Sequence, residues 1–451
     1  MTLQDTVQRN WLKLRRTMTL AGVAAIMLAV MLDVVGLSGP GLSGSQLLLL
    51  LAGIMFALVG WLGRRTVDLY RGSAFIVLNT VILIFGLEVG IRVVDSVSSR
   101  FSPQQTASID PRANLPYYLK QDWAISFWTE WTQFNNVAGA YRYYPYAVWR
   151  GGPFQGETIN INQDGIRLTP AVQCEGDAYR VFVFGGSTLW GLGAPDWLTI
   201  PAILQSKLDQ RLSQPVCVIN YGQSAYISSQ EIITLLMELQ RGNIPDTVIF
   251  YDGMNEVGIA NAVGRAGTHF YYSSIADRFN QSPGATNTYI PLLSDSRLYQ
   301  TLQSFAPSLQ SPAQDTSPMV DRDQLAEDII EIYLSNYQIV RAWAEEFGFE
   351  YHFFWQPVMF VSEKPFTPEE EPMWEEGSGP ILADLYVQVY QQIREEATSR
   401  EHLYYIADVL DDQTDQIFID YNHLTPVGNQ LVAEEMLRLM GYEPVQSVAD
   451  T

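Results

Sequence analysis

Hydrophobic positions along this chain fall into two regimes. Near the start they form three long unbroken runs: residues 17–37, interrupted only by Asp33; residues 46–63, with no charge; and residues 73–94, apolar up to Glu88 and Arg92. Each matches the ~20 residues that cross a bilayer as a helix, so three membrane spans are expected. Three successive runs do not read as a cleavable leader, which has one. Farther on the runs are short and alternate with stretches of helical spacing. Strands are expected at Tyr179–Phe184, Val216–Tyr221, Asp246–Gly253, Phe349–Pro357 and Leu403–Val409. Helices are expected at Ile200–Leu212, Ser228–Arg241, Asp321–Gly348, Ile381–Thr398 and Thr425–Met440. Short apolar strands alternating with helices predict a parallel sheet covered on both faces, an α/β domain of five strands.

Four further segments complete the organisation. Residues 1–95 read as the membrane anchor and the polar run 96–115 as a linker. Residues 116–178, rich in Tyr and Trp, read as an extension packed on the domain that follows, 179–445. Within that domain the stretch 257–318 shows no clear period. It reads either as a lid or acceptor-binding wall, or as a surface insertion.

Charge gives the runs a direction. Residues 1–95 carry eight Lys/Arg against five Asp/Glu, a net of +3; the remaining 19 bases and 44 acids give −25. Arg9, Lys13, Arg15 and Arg16 precede the first run, and Arg64, Arg65 and Arg71 lie between the second and third. By the positive-inside rule these face the cytoplasm. The chain is then expected in a bacterial cytoplasmic (inner) membrane, multi-pass, with a cytoplasmic N-terminus and a periplasmic or extracellular C-terminal domain. Its membrane partner is the lipid bilayer. An acidic domain excludes nucleic acid, which needs a basic face. Cys174 and Cys217 show no metal-type spacing; they either pair or stay buried and reduced. The four histidines lie far apart in the sequence, which leaves no histidine-rich metal site. No cofactor is expected.

Four short motifs follow expected strands, where open α/β sheets carry their sites. "GGST" places Ser187 on a glycine turn before a helix. "NYGQSAY" brings Gly222, whose N–H no side chain obstructs. "GMNE" brings Asn255, an uncharged donor suited to an oxyanion. "DYNHLTPVGN" sets Asp420 and His423 with two residues between them, so that one turn can join a carboxylate to an imidazole. A serine nucleophile needs a base, and the base an orienting group. Gln356, closing "FWQP", and Glu256 are candidates for lining the cleft, and Arg167 for its rim or for a structural loop.

In this order the four motifs resemble the four blocks of the SGNH (GDSL-type) hydrolases over roughly Tyr179 to Met440. That resemblance implies a flavodoxin-like three-layer α/β/α domain. It assigns Ser187 as nucleophile, His423 as base and Asp420 as its orienter, with an oxyanion hole from Ser187, Gly222 and Asn255. Two positions depart from the pattern: Gly186 stands before the serine where the family has Asp, and Glu256 follows Asn255 where it has Asp. The departures lean toward membrane-anchored bacterial members acting near polysaccharide. The expected function is an extracytoplasmic serine esterase acting on O-acyl, especially acetyl, groups of envelope or extracellular polysaccharide, with an acylated carbohydrate or small ester as substrate. The alternatives are an O-acyltransferase using the same residues, or a non-catalytic glycan-binding or assembly subunit with partners in an envelope complex.

Overall fold

The structure is a computed structural model, and it describes residues 3–34, 44–62, 78–80, 82–93, 109–137, 139–170, 174–280, 321–378 and 380–442. The chain divides into two compact units, residues 1–101 with 287–310 and residues 102–286 with 311–451.

In the first unit, helices Leu3–Val34 and Gly44–Leu62 pack together. Small residues set the approach: a Cβ on Gly22 would lie 2.4 Å from the Ala57 nitrogen, and one on Gly53 would lie 2.9 Å from the Gly22 oxygen. Arg15 Nε donates to the Gly60 carbonyl at 3.0 Å, tying the two helices again. Among the described residues no helix is long and apolar enough to cross a membrane. The three expected spans therefore gain no support from the structure; parts of each (35–37, 63, 73–77, 81 and 94) lie outside the described residues.

The second unit is built on five strands: β5 (Tyr179–Gly185), β6 (Val216–Asn220), β7 (Thr247–Asp252), β8 (Glu350–Trp355) and β9 (Leu403–Tyr405). All pair in parallel, in the order β6-β5-β7-β8-β9. Two short antiparallel pairs precede them: β1 (Tyr141–Tyr144) with β2 (Val148–Gly151), and β3 (Phe154–Gln155) with β4 (Asn160–Ile161).

Both sheet faces are buried, which is why the strands read as continuous apolar runs. On one face Phe182, Phe184, Val248, Phe250, Phe353 and Trp355 meet helices Ser228–Gln240, Met254–Val263, Arg322–Phe347 and Pro380–Ala397. Phe184, Phe250 and Phe353 stack across three strands with ring centroids 5.0 and 4.4 Å apart. On the other, Val181, Val183, Ile249 and Phe354 meet helices Ile200–Asp209 and Pro426–Leu439. The three-layer expectation is met, with strand order 2-1-3-4-5 counted along the chain. Its topological switch point lies between β5 and β7, where such sheets open a crevice at the carboxyl ends of their strands.

Two expectations change. The stretch 257–318 is not irregular throughout: helix Met254–Val263 runs into it and Tyr272–Asn280 lies within it, while 281–318 lies outside the described residues. The first of these helices is enclosed by other elements, so its apolar residues show no amphipathic period. The end of the expected linker is also folded. Pro111–Asn114 forms a 3₁₀ turn capped by Asp110, with Ala113 buried. In the aromatic stretch, Tyr118, Phe127, Trp128 and Phe134 form one cluster with Trp190, Leu192 and Ile419.

Candidate active site

β5 ends at Gly185, and the chain turns at once into the short helix Ser187–Trp190. The two glycines before the serine answer to crowding. A Cβ on Gly185 would come 2.7 Å from the Tyr251 oxygen, and one on Gly186 2.2 Å from Asn255 Nδ2. Ser187 alone is half-buried, while 181–186 and 188–196 are buried around it. The turn beyond it is pinned by Arg167, which is fully buried. Its Nη1 donates to the Gly191 carbonyl at 2.8 Å, its Nη2 to Ala194 at 2.8 Å, and its Nε to Asp196 at 2.8 Å. Arg167 is thus a structural post rather than part of the site's rim.

The loop before helix Pro426–Leu439 carries the partners. His423 Nε2 lies 2.8 Å from Ser187 Oγ, and His423 Nδ1 lies 2.8 Å from each oxygen of Asp420. A ring nitrogen facing a carboxylate holds the proton, which leaves Nε2 as acceptor for the serine hydroxyl. Asp420 is fixed by its own loop: Oδ1 accepts the backbone N–H of Asn422 at 3.1 Å and of His423 at 2.8 Å. Burial alone would raise its carboxyl. His423 foremost, then Arg112, outweigh that and hold it well below the usual carboxylate range. Arg112 Nη1 donates to Asp420 Oδ2 at 2.8 Å.

The donors expected around an oxyanion are placed unequally. Asn255 stands over Gly186 and donates one amide hydrogen to the Tyr226 carbonyl at 2.7 Å. That bond fixes the amide and leaves its second hydrogen for a ligand. Gly222 N–H instead donates to Asn220 Oδ1 at 3.0 Å. Ser187 opens its helix, where first-turn N–H groups lack intrahelical acceptors.

Both proposed lining residues are buried. Gln356 is buried, its N–H bonded to the Asp252 carbonyl at 2.8 Å. Glu256 is buried with both oxygens engaged, accepting Ser228 N–H and Gly253 N–H at 2.8 Å each. It fastens the turn that presents Asn255. Gly253 in that turn has φ +131°, and a Cβ there would sit 2.8 Å from the Tyr390 hydroxyl, so only glycine fits.

Four residues were missed from the sequence. Arg112 and Asp110 lie in the presumed linker, and a single Arg in a polar run carries no signal. Glu231 and Asp252 are fully enclosed against Glu256. The two are hydrogen-bonded to each other side chain to side chain, and burial first, then the neighbouring carboxylates, raises both groups well above their usual range. Among the described residues no group of His, Cys, Asp or Glu is arranged to hold a metal ion.

No family model matches the chain, and no curated protein matches it. Solved structures that are similar to it include Axe2, an acetylxylan esterase from Geobacillus stearothermophilus: 14% identity over 60% of this chain and 98% of that one, TM-score 0.31. Esterase EstA from Pseudoalteromonas sp. shows 12% identity over 58% and 97%, TM-score 0.29. A member of the lipolytic G-D-S-L family from Veillonella parvula shows 12% over 58% and 99%, TM-score 0.31. At these identities and scores the likenesses carry no argument about activity.

Proposed function

We propose that the chain is a serine esterase of the SGNH type that forms an acyl-serine intermediate. The observation that carries this is the unbroken line from Asp420 through His423 to Ser187, with 2.8 Å at each link. His423 takes the Ser187 proton as Oγ bonds to the ester carbonyl carbon. Asn255 and the Ser187 N–H receive the charge that develops on the carbonyl oxygen. The leaving alcohol then departs with the proton from His423, and the acyl group stays on Ser187. Water, deprotonated by the same imidazole, releases it as the acid. A sugar hydroxyl in place of water would make the enzyme an O-acyltransferase.

The finer reading is a tethered enzyme outside the cytoplasm, acting on acyl groups of envelope or extracellular polysaccharide. Three features support the location: the hydropathy of residues 1–95, their positive charge, and outward-facing Leu20, Met27, Met55 and Trp61 on the first unit's helices. The Cys174–Cys217 disulfide supports it too, since such bonds persist in oxidising compartments.

The test is labelling with a fluorophosphonate, read beside hydrolysis of an aryl acetate. Wild type is expected to label and Ser187→Ala not to. Absence of Ser187-dependent labelling would sink the enzyme reading and leave a non-catalytic subunit. Labelling without hydrolysis, restored as turnover by an added glycan, would mark a transferase. Partition into the membrane fraction after alkaline carbonate washing tests the tether.

A further inference from the structure

We propose that Arg112, from the segment preceding the aromatic extension, is a positioning residue that sets the pH at which Ser187 and His423 become active. The inference rests on the acyl-serine reading above and adds the residue that regulates it.

The geometry is a linear array of charges. Arg112 grips Asp110 with Nε and Nη2, at 2.9 and 2.8 Å, and reaches Asp420 Oδ2 with Nη1 at 2.8 Å. Its guanidinium lies over the Trp128 ring, 4.8 Å from the centroid, which limits its freedom to turn away. Its side chain is only 23% exposed, so solvent screens the array weakly. The Asp420 oxygen that Arg112 touches is one that also faces His423 Nδ1. The titratable groups around this array are Asp110 and Tyr118 from the N-terminal segment and Tyr421 and His423 from the loop. Burial raises both tyrosines above their usual range, so they stay neutral through the working pH.

Two consequences follow. First, a carboxylate held by its own loop on one oxygen and by a guanidinium on the other cannot rotate away from the imidazole. Second, the guanidinium opposes a second positive charge on His423, while Asp110 favours one by offsetting the guanidinium. His423 must be uncharged to accept the serine proton, so Arg112 extends activity toward lower pH and Asp110 restrains that extension. A side chain serving only to dock the segment would have no such sign.

The experiment measures kcat/KM for an aryl acetate, or the rate of fluorophosphonate labelling, against pH. Arg112→Gln is expected to move the acid limb upward by about 0.5–1 pH unit. Asp110→Asn is expected to move it downward. Arg112→Lys keeps the charge but loses the two-pronged grip; it is expected to keep the limb near the wild-type position at a reduced rate. Shifts of Arg112→Gln and Asp110→Asn in the same direction, or no shift in either, would overturn the inference while labelling persists and the acyl-serine reading stands. A wild type that never labels at Ser187 overturns both together. Should Arg112→Gln fail to fold, the sign of the Asp110→Asn shift decides alone.

Discussion

Asn255 and Gly186 explain one another at the scale of single residues. The amide sits where any side chain before the serine would have to go, which accounts for the second glycine of "GGST". The Tyr226 carbonyl holds the amide in place, so Asn255 is ready to donate without reorganising. Asn255→Ala is expected to lower kcat by about 10²–10³-fold, or ~2.7–4 kcal/mol of barrier, with KM changed far less; single-turnover acylation of an aryl ester measures it. Gly222 is a poorer donor because Asn220 already occupies its N–H. What the sequence reveals at this scale depends on locality. Asp420 and His423 are three positions apart, and their chemistry is visible as a pattern. Arg112 reaches Asp420 across 308 residues, and no local pattern records such a contact.

Among elements, the buried carboxyls join the end of β7, helix Ser228–Gln240 and the first turn of helix Met254–Val263. Glu256 is the member held by backbone donors, and Glu231 the costly one. Because burial and like charges raise Glu231 in the fold, folding takes up a proton there. Its stabilising contribution is complete below the unfolded carboxyl range near pH 4 and is lost as pH rises through the raised folded value. Glu231→Gln keeps the shape of the protonated acid without titrating. It is expected to stabilise by roughly 1–2 kcal/mol at pH 8 and by almost nothing at pH 4; melting temperature across that range checks the trend. The five strands were legible because each is apolar on both faces and lies between helices of clear period. β9 ends at Tyr405, short of the expected Val409, because the chain turns there. Helix Met254–Val263 stayed hidden for the opposite reason, being enclosed nearly all round. The β1–β4 pairs are two to four residues each, too short to show an alternation.

On the scale of the whole chain, two covalently or chemically linked pairs span long distances. The Cys174–Cys217 bond ties the approach to β5 to the edge strand β6 across 43 residues. Cys217→Ser is expected to cost about 2–4 kcal/mol by relaxing the unfolded chain, and wild type under reducing agent should melt at the same lowered temperature. The second pair is Ser187 and His423, separated by 236 residues. At roughly 5–20 residues per second of synthesis, the hydroxyl leaves the ribosome on the order of tens of seconds before its base. Until then it is an ordinary alcohol, unable to attack any ester it meets in the cell. On the esterase reading proposed above, the serine therefore has no general base until after the last sheet strand has been made.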